Sequence, residues 1–280
     1  MSHAYYNFAD DEYICLGPSI NRNTIFECAS LSKIIMAYIS LKYVLNNKLD
    51  LNASIYEYLT ENELNILNIR TNRNSRYRDV TVRMLFSHIS GIPDRAGLLY
   101  THLQFAPGSG FTYSGEGYYI LQKIIEKIEQ KPIDKIFKKF FKFKNCSFKY
   151  EKVFSKNMAT PYNTMINPHG AQSFYSSIDS LVKIIKKIIS DREVFTLMTT
   201  VQYRVNEHIS TGLGPFILND EIIWQWGDKK NFKNFLYYDY KKNTGFISLS
   251  NSIHGWEYIK PSIDNHVLQF LRGFYNNNYI

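Results

Sequence analysis

Thr24-Ile25-Phe26-Glu27-Cys28-Ala29-Ser30-Leu31-Ser32-Lys33 runs from a short apolar stretch into a helical period. Ile34, Ala37, Tyr38, Leu41, Val44 and Leu45 share one face, which predicts a helix from near Ser30 to about Asn46. At positions i and i+3 of a helix, a lysine amine reaches the hydroxyl of a serine one turn away. A serine at a helix N-terminus also keeps its own backbone N–H available for an oxyanion. The apolar neighbours of Lys33 would bury its amine and lower its pKa, which suits a base for an attacking hydroxyl. About two Ser-x-x-Lys tetrapeptides are expected by chance at average residue frequencies. Two occur, Ser30/Lys33 and Ser180/Lys183. Position separates them, because Ser180 falls inside a helical period and its Lys183 lies on a solvated face with Lys186 and Lys187. Taken alone, even Ser30/Lys33 reads more simply as a helix cap with a surface lysine.

Outward from this stretch, Glu12-Tyr13-Ile14-Cys15-Leu16 reads as a strand closed by Gly17-Pro18. Asp79 to Leu85 opens a helix capped by Thr81 or Asp79 and stopped before Gly91 and Pro93. Ile120, Leu121, Ile124, Ile125 and Ile128 make 116–130 helical, and 177–189 is a further helix with Asp179 in its first turn. Beyond about residue 205 the period changes. Segments 221–226, 232–238 and 244–249 read as strands, with turns at Gly227-Asp228 and Lys241-Lys242-Asn243, and 267–274 closes as a helix. Strands near both ends with helices between them predict an α+β fold, an α/β sandwich. Its antiparallel sheet would come from 1–50 and 205–280, and 51–204 would form a mostly helical region.

Composition excludes several classes. With 280 residues, 45% hydrophobic and 21% charged, the chain is long and apolar enough to fold and is not disordered. Apolar runs such as Ile34–Ile39 stop far short of the roughly 18 residues of a membrane span. Met1 to Asn7 lacks the charged and apolar regions of a signal peptide, and Cys15, Cys28 and Cys146 are isolated. Both features point to a reducing, cytoplasmic setting without disulfides or a zinc site. No P-loop, dinucleotide fingerprint, His-Glu-x-x-His or Gly-x-Ser-x-Gly occurs, so no cofactor or metal is expected. The net charge of +8 is concentrated between Lys123 and Lys149. There Ile133, Ile136, Phe137, Phe140 and Phe141 form an apolar face backed by Lys135, Lys138, Lys139 and Lys142. An amphipathic helix accounts for this charge, and no nucleic-acid partner is expected.

Five blocks in order resemble the serine β-lactamase-like family, which includes class C β-lactamases, low-molecular-weight penicillin-binding proteins and related esterases. The first is Thr24 to Lys33, similar to the family's nucleophile region. Val80-Thr81-Val82-Arg83-Met84-Leu85-Phe86-Ser87-His88-Ile89-Ser90-Gly91 resembles its Thr-(apolar)-Arg-x-Leu-Leu-Ser-His-x-Ser-Gly segment. Pro107-Gly108 with Phe111-Thr112-Tyr113-Ser114-Gly115 resembles its tyrosine motif, and Ala171 to Asp179 resembles the start of a later helix. Gly212-Leu213-Gly214 and Trp224-Gln225-Trp226-Gly227-Asp228 resemble the strand of its third motif.

The resemblance implies one catalytic unit with the site between sheet and helices. Ser30 would be the nucleophile, and Lys33 and Tyr113 would handle its proton. The N–H groups of Ser30 and Asp228 would hold the oxyanion on an edge strand, where Gly227 leaves room for a substrate. Gly115, Gln225 and Trp226 would complete the substrate wall, while His88 and Ser90 would shape a turn. Two departures bear on the substrate. Gly115 stands where Tyr-x-Asn carries an amide for an acylamino group. Uncharged Gln225 stands where Lys-Thr-Gly or His-x-Gly carries a cation for a carboxylate. Both point to an ester or amide of a small or peptide-like acyl group in preference to an efficient β-lactamase. The other readings are a D-amino-acid peptidase or β-lactamase, an acyltransferase, and a non-catalytic β-lactamase-like binding or regulatory protein.

Overall fold

The computed structural model describes residues 2–67, 75–94, 102–151, 154, 156–159 and 167–279. Two strands, β1 (His3–Asn7) and β2 (Glu12–Leu16), lead to β3 (Ile25–Ala29), which runs into helix α1 (Ser32–Leu45). The helix therefore starts two residues later than its apolar period predicts, and Ser30 lies in the turn before it. Helices α2 (Glu61–Ile66), α3 (Val82–Phe86), α4 (Gly115–Glu129) and α5 (Ile133–Phe140) follow. Strands β4 (Cys146–Ser147) and β5 (Phe174–Ser177) precede helices α6 (Ile178–Ser190) and α7 (Arg192–Thr199). The remaining strands are β6 (Tyr203–Arg204), β7 (Ile209–Thr211), β8 (Phe216–Leu218), β9 (Ile222–Lys229), β10 (Phe232–Asp239) and β11 (Thr244–Ser250). Helix α8 (Asn265–Tyr279) closes the chain.

Both chain ends enter one antiparallel sheet of order β2-β1-β11-β10-β9-β8-β7-β6. Alternation along its strands gives it two buried faces, each covered by helix. On one face Tyr5, Trp224, Trp226, Phe235 and Phe246 pack under Leu268, Leu271 and Phe274 of α8. On the other, Leu236 and Ile247 meet Leu31 and Ile34 at the start of α1, and Leu181 and Ile185 of α6. The chain is thus an α+β fold. Helix α6, although inside 51–204, packs on β1 and β11. A smaller sheet of order β3-β5-β4 stands beside the large one.

Helix α1 is buried almost all round, with Ser32, Lys33, Ile35, Met36, Ala37 and Ile39 all inside. Such a helix belongs at the centre of the molecule. Helix α5 buries Ile133, Ile136 and Phe137, and its Lys138 and Lys139 pair with Glu151 and Glu129. The basic segment is a packed amphipathic helix. Beyond Trp224, β9 pairs with β10 alone, so its second half is a local edge although the strand lies inside the sheet. The sequence placed a turn at Gly227-Asp228, but β9 continues through both residues to Lys229 and turns at Lys230-Asn231. Cross-strand pairing through Asn234↔Gly227 and Lys233↔Asp228 outweighs the turn propensity of a Gly-Asp pair. Among the described residues, no helix is long and apolar enough to cross a membrane.

Candidate active site

Between β3 and α1 the chain reverses through Ala29, a non-glycine residue at φ +48°. A left-handed alanine costs on the order of 1 kcal/mol, so the surroundings must hold it. Ser32 does so, donating from its hydroxyl to the Ala29 carbonyl and accepting from the Phe174 N–H at 3.0 Å. Ser30 is thereby presented at the end of α1, with Lys33 one turn on. The Lys33 amine donates to Ser30 Oγ at 3.0 Å and to the Ala171 carbonyl at 3.0 Å. Ala171 is fixed in turn by Gln122, which accepts from the Gly170 N–H at 2.6 Å and donates to the Pro168 carbonyl at 3.2 Å. Lys33 is 1% exposed, and burial pulls its pKa from 10.5 down to about 7, against the opposing pull of Asp94 and Glu116.

Tyr113 is buried beside this pair, with the Lys33 amine 4.5 Å from its ring centroid. His88 positions the tyrosine segment. Its Nδ1 accepts from the Ser114 N–H at 3.1 Å, and its ring lies 4.6 Å from that of Tyr113. Burial and the Lys33 charge hold the pKa of His88 well below the usual value, so the ring is a neutral acceptor. Ser90 is also buried, and its hydroxyl accepts from the Ile92 N–H. Ser114 then caps α4 by accepting from the Gly117 N–H at 3.1 Å. The second tetrapeptide does something else: Ser180 donates to the Lys144 carbonyl and Lys183 pairs with Asp179.

Ser30, Lys33, Tyr113, Gly115, Trp226 and Asp228 line one cavity of about 530 Å³. The edge half of β9 forms one wall, and its approach to β3 is close. A Cβ built on Gly227 would lie 2.4 Å from the Cys28 carbonyl oxygen. Room for a substrate was the expected reason for this glycine; the structure gives a different one, the close approach of β3, the strand that leads to Ser30. Asn234 bridges the same junction from β10, donating to the Glu27 and Gly227 carbonyls at 2.9 and 3.2 Å. Glu27 and Lys229 add an ion pair at 2.7 Å.

Gln225 does not line the cavity. It is fully buried, donates to the Trp226 carbonyl at 3.0 Å, and shares a strand face with Gly227. The expected substrate contact at Gln225 is therefore absent, and the missing cation there says nothing about carboxylates. Lys229, Lys230 and Arg272 line the cavity instead. Sequence reasoning also missed Asp94, Glu116, His169 and Trp256. Glu116 adjoins the tyrosine motif and could have been noticed. Arg272 and Trp256 reach the cavity from the chain's end and carry no local signal. Burial holds His169 neutral, with its pKa lowered to about 3. Among the described residues, no cluster of His, Cys, Asp or Glu is placed to hold a metal ion.

Several solved structures share this fold. A class C β-lactamase superposes with a TM-score of 0.73 at 16% identity, over 90% of this chain and 86% of that one. A D-stereospecific amidohydrolase from Streptomyces sp. gives 0.72 at 15% identity, over 90% and 88%. EstCE1, a hydrolase with promiscuous acyltransferase activity, gives 0.74 at 16% identity, over 91% and 90%. No curated protein sequence matches. The Beta-lactamase family model matches residues 4–260, and the chain belongs to that family.

Proposed function

We propose that the protein is a serine hydrolase that cleaves an ester or amide through an acyl-enzyme on Ser30. The observation that carries this reading is the 3.0 Å contact between Ser30 Oγ and a buried lysine whose pKa is lowered to about 7. Near neutral pH a large fraction of Lys33 is the free amine, and a free amine beside a hydroxyl is a general base. In the acylation step Ser30 Oγ bonds to the substrate carbonyl carbon and its proton passes to the Lys33–Tyr113 pair. The negative oxygen rests between the N–H groups of Ser30 and Asp228, which border the same cavity. The tetrahedral species then collapses, the bond to the leaving group breaks, and the proton follows it. Water takes the acyl group off Ser30 by the same steps in reverse order.

Gly115 offers no side-chain amide for an acylamino group, which favours simple esters or amides over penicillins. With Gln225 withdrawn into the strand, this preference rests on Gly115 alone. The folds shared with EstCE1 and the D-stereospecific amidohydrolase support the same substrate chemistry. Hydrolysis of p-nitrophenyl butyrate, followed by absorbance, is the test. Ser30→Ala should abolish it, and Lys33→Ala and Tyr113→Phe should each cost about 10²–10⁴-fold in kcat. Turnover that survives Ser30→Ala would remove the mechanism.

A further inference from the structure

The cavity is divided by charge. Asp94 and Glu116 stand at the start of α4, on the helical side, while Arg272 of α8 and Lys230 of the β9–β10 turn stand on the sheet side. Asp94 Oδ1 accepts from the Gly115 N–H at 2.6 Å. A Cβ built on Gly115 would lie 2.9 Å from that same oxygen, so the carboxylate fills the space that a side chain at 115 would enter. Capping α4 uses one oxygen of Asp94. Neither Asp94 nor Glu116 has an ion-pair partner among the described residues, and both share the cavity lining with Lys33.

A carboxylate offers only acceptors, so the group it takes best is a charged N–H donor. Lys33 does not supply that charge in the state that begins the attack, because a general base must start with its amine neutral. When Lys33 releases its proton, Asp94 and Glu116 lose the positive charge that acts on both from the helical side of the cavity. We propose that the acyl group accepted by Ser30 carries a positively charged amine, held by Asp94 and Glu116 at the start of α4. This inference rests on the hydrolase reading and names its substrate class. Glu116 fits the role. Burial and then Asp94 raise its pKa against the pull of Lys33, so a bound cation beside it would favour its charged form. A bound ammonium would also offset the two acids that hold the Lys33 pKa up, and so favour the free amine that Ser30 needs. Arg272 and Lys230 repel the same ammonium, which fixes the direction in which the acyl chain lies.

The β-alanyl and butyryl p-nitrophenyl esters have acyl chains of equal length and differ in ending on an ammonium or a methyl. The wild-type protein should prefer the β-alanyl ester by about tenfold or more in kcat/KM, after subtraction of spontaneous hydrolysis. Added salt should shrink the ratio, and Asp94→Asn and Glu116→Gln should each move it towards one. Equal rates, or a butyryl preference, with turnover that still requires Ser30 would overturn the amine proposal and leave the hydrolase standing. If neither ester turns over, the hydrolase reading fails, and binding decides the amine separately. Chemical-shift changes in the Ser30→Ala protein should then show tighter binding of β-alaninamide than of butyramide. Equal binding, or none by the cation, would overturn the proposal.

Discussion

Lys33 carries a large stability cost in this fold, and the cost has a definite pH window. Its pKa falls from 10.5 in an open chain to about 7 in the folded protein, because burial penalises the charged amine. Between those values the unfolded chain binds the extra proton, so stability rises with pH from about 7 towards 10.5. Below about 7 both states are protonated and the penalty is constant. Lys33→Met removes the buried amine and keeps most of the volume. It should stabilise the protein by about 2–5 kcal/mol at neutral pH, flatten the alkaline rise, and cost about 10²–10⁴-fold in ester hydrolysis. Urea unfolding at several pH values is the measurement. A wild-type stability that does not depend on pH across this window would show that Lys33 titrates normally. Activity has the matching signature: kcat/KM should climb about tenfold per pH unit below the Lys33 pKa and level off above it.

At the scale of elements, the junction of β3 with β9 sets the spacing between Ser30 and the edge half of β9, which the proposed mechanism needs for its oxyanion donors. Three contacts set it: the bare backbone of Gly227 against the Cys28 carbonyl, the Asn234 bridge, and the Glu27–Lys229 pair. The Asn234 amide also accepts from the Ser250 N–H at 3.3 Å, so β3, β9 and β11 meet on one side chain. Gly227→Ala puts a methyl where the nearest atom is backbone, which no rotamer change can relieve. The two strands must separate, at a cost of about 1–3 kcal/mol. Ester hydrolysis should fall by well over tenfold, chiefly in kcat, because substrate can still enter while the oxyanion donors no longer converge. Wild-type kcat in this variant would mean that the spacing has no catalytic importance.

At the scale of the molecule, α8 covers one face of the sheet and brings Arg272 to the cavity from the end of the chain. Leu271, fully buried beside it, packs against the aromatic cluster around Trp224 and Phe216. Leu271→Ala should cost about 2–4 kcal/mol, the range for a leucine lost from a packed core. Denaturant unfolding should show this cost, and Ser30-dependent turnover should persist where the variant is folded. A loss below about 0.5 kcal/mol would mean that α8 is only loosely docked.

Much of this was legible before the coordinates. The apolar periods of α1, α4, α5 and α6 and the strands at both ends of the chain are local patterns, whereas the turn that presents Ser30 ahead of α1 lies where the apolar period predicts the helix start. The expected turn at Gly227-Asp228 hid the strand parity that sets residues 225 and 227 facing away from 226 and 228. What parity leaves open is which side meets the cavity. The Cys28 carbonyl settles that: it drives 227 inward and takes Gln225 with it into the core. The same limit hid Asp94, Glu116 and Arg272, whose meeting in one cavity depends on how α4, α8 and the loop before them pack. Sequence alone determined the longer helices and strands and the one-turn spacing of Ser30 and Lys33, because these depend on neighbours a few residues apart. Only the tertiary structure decided the charges lining the cavity, because contacts between distant residues leave no period in the chain.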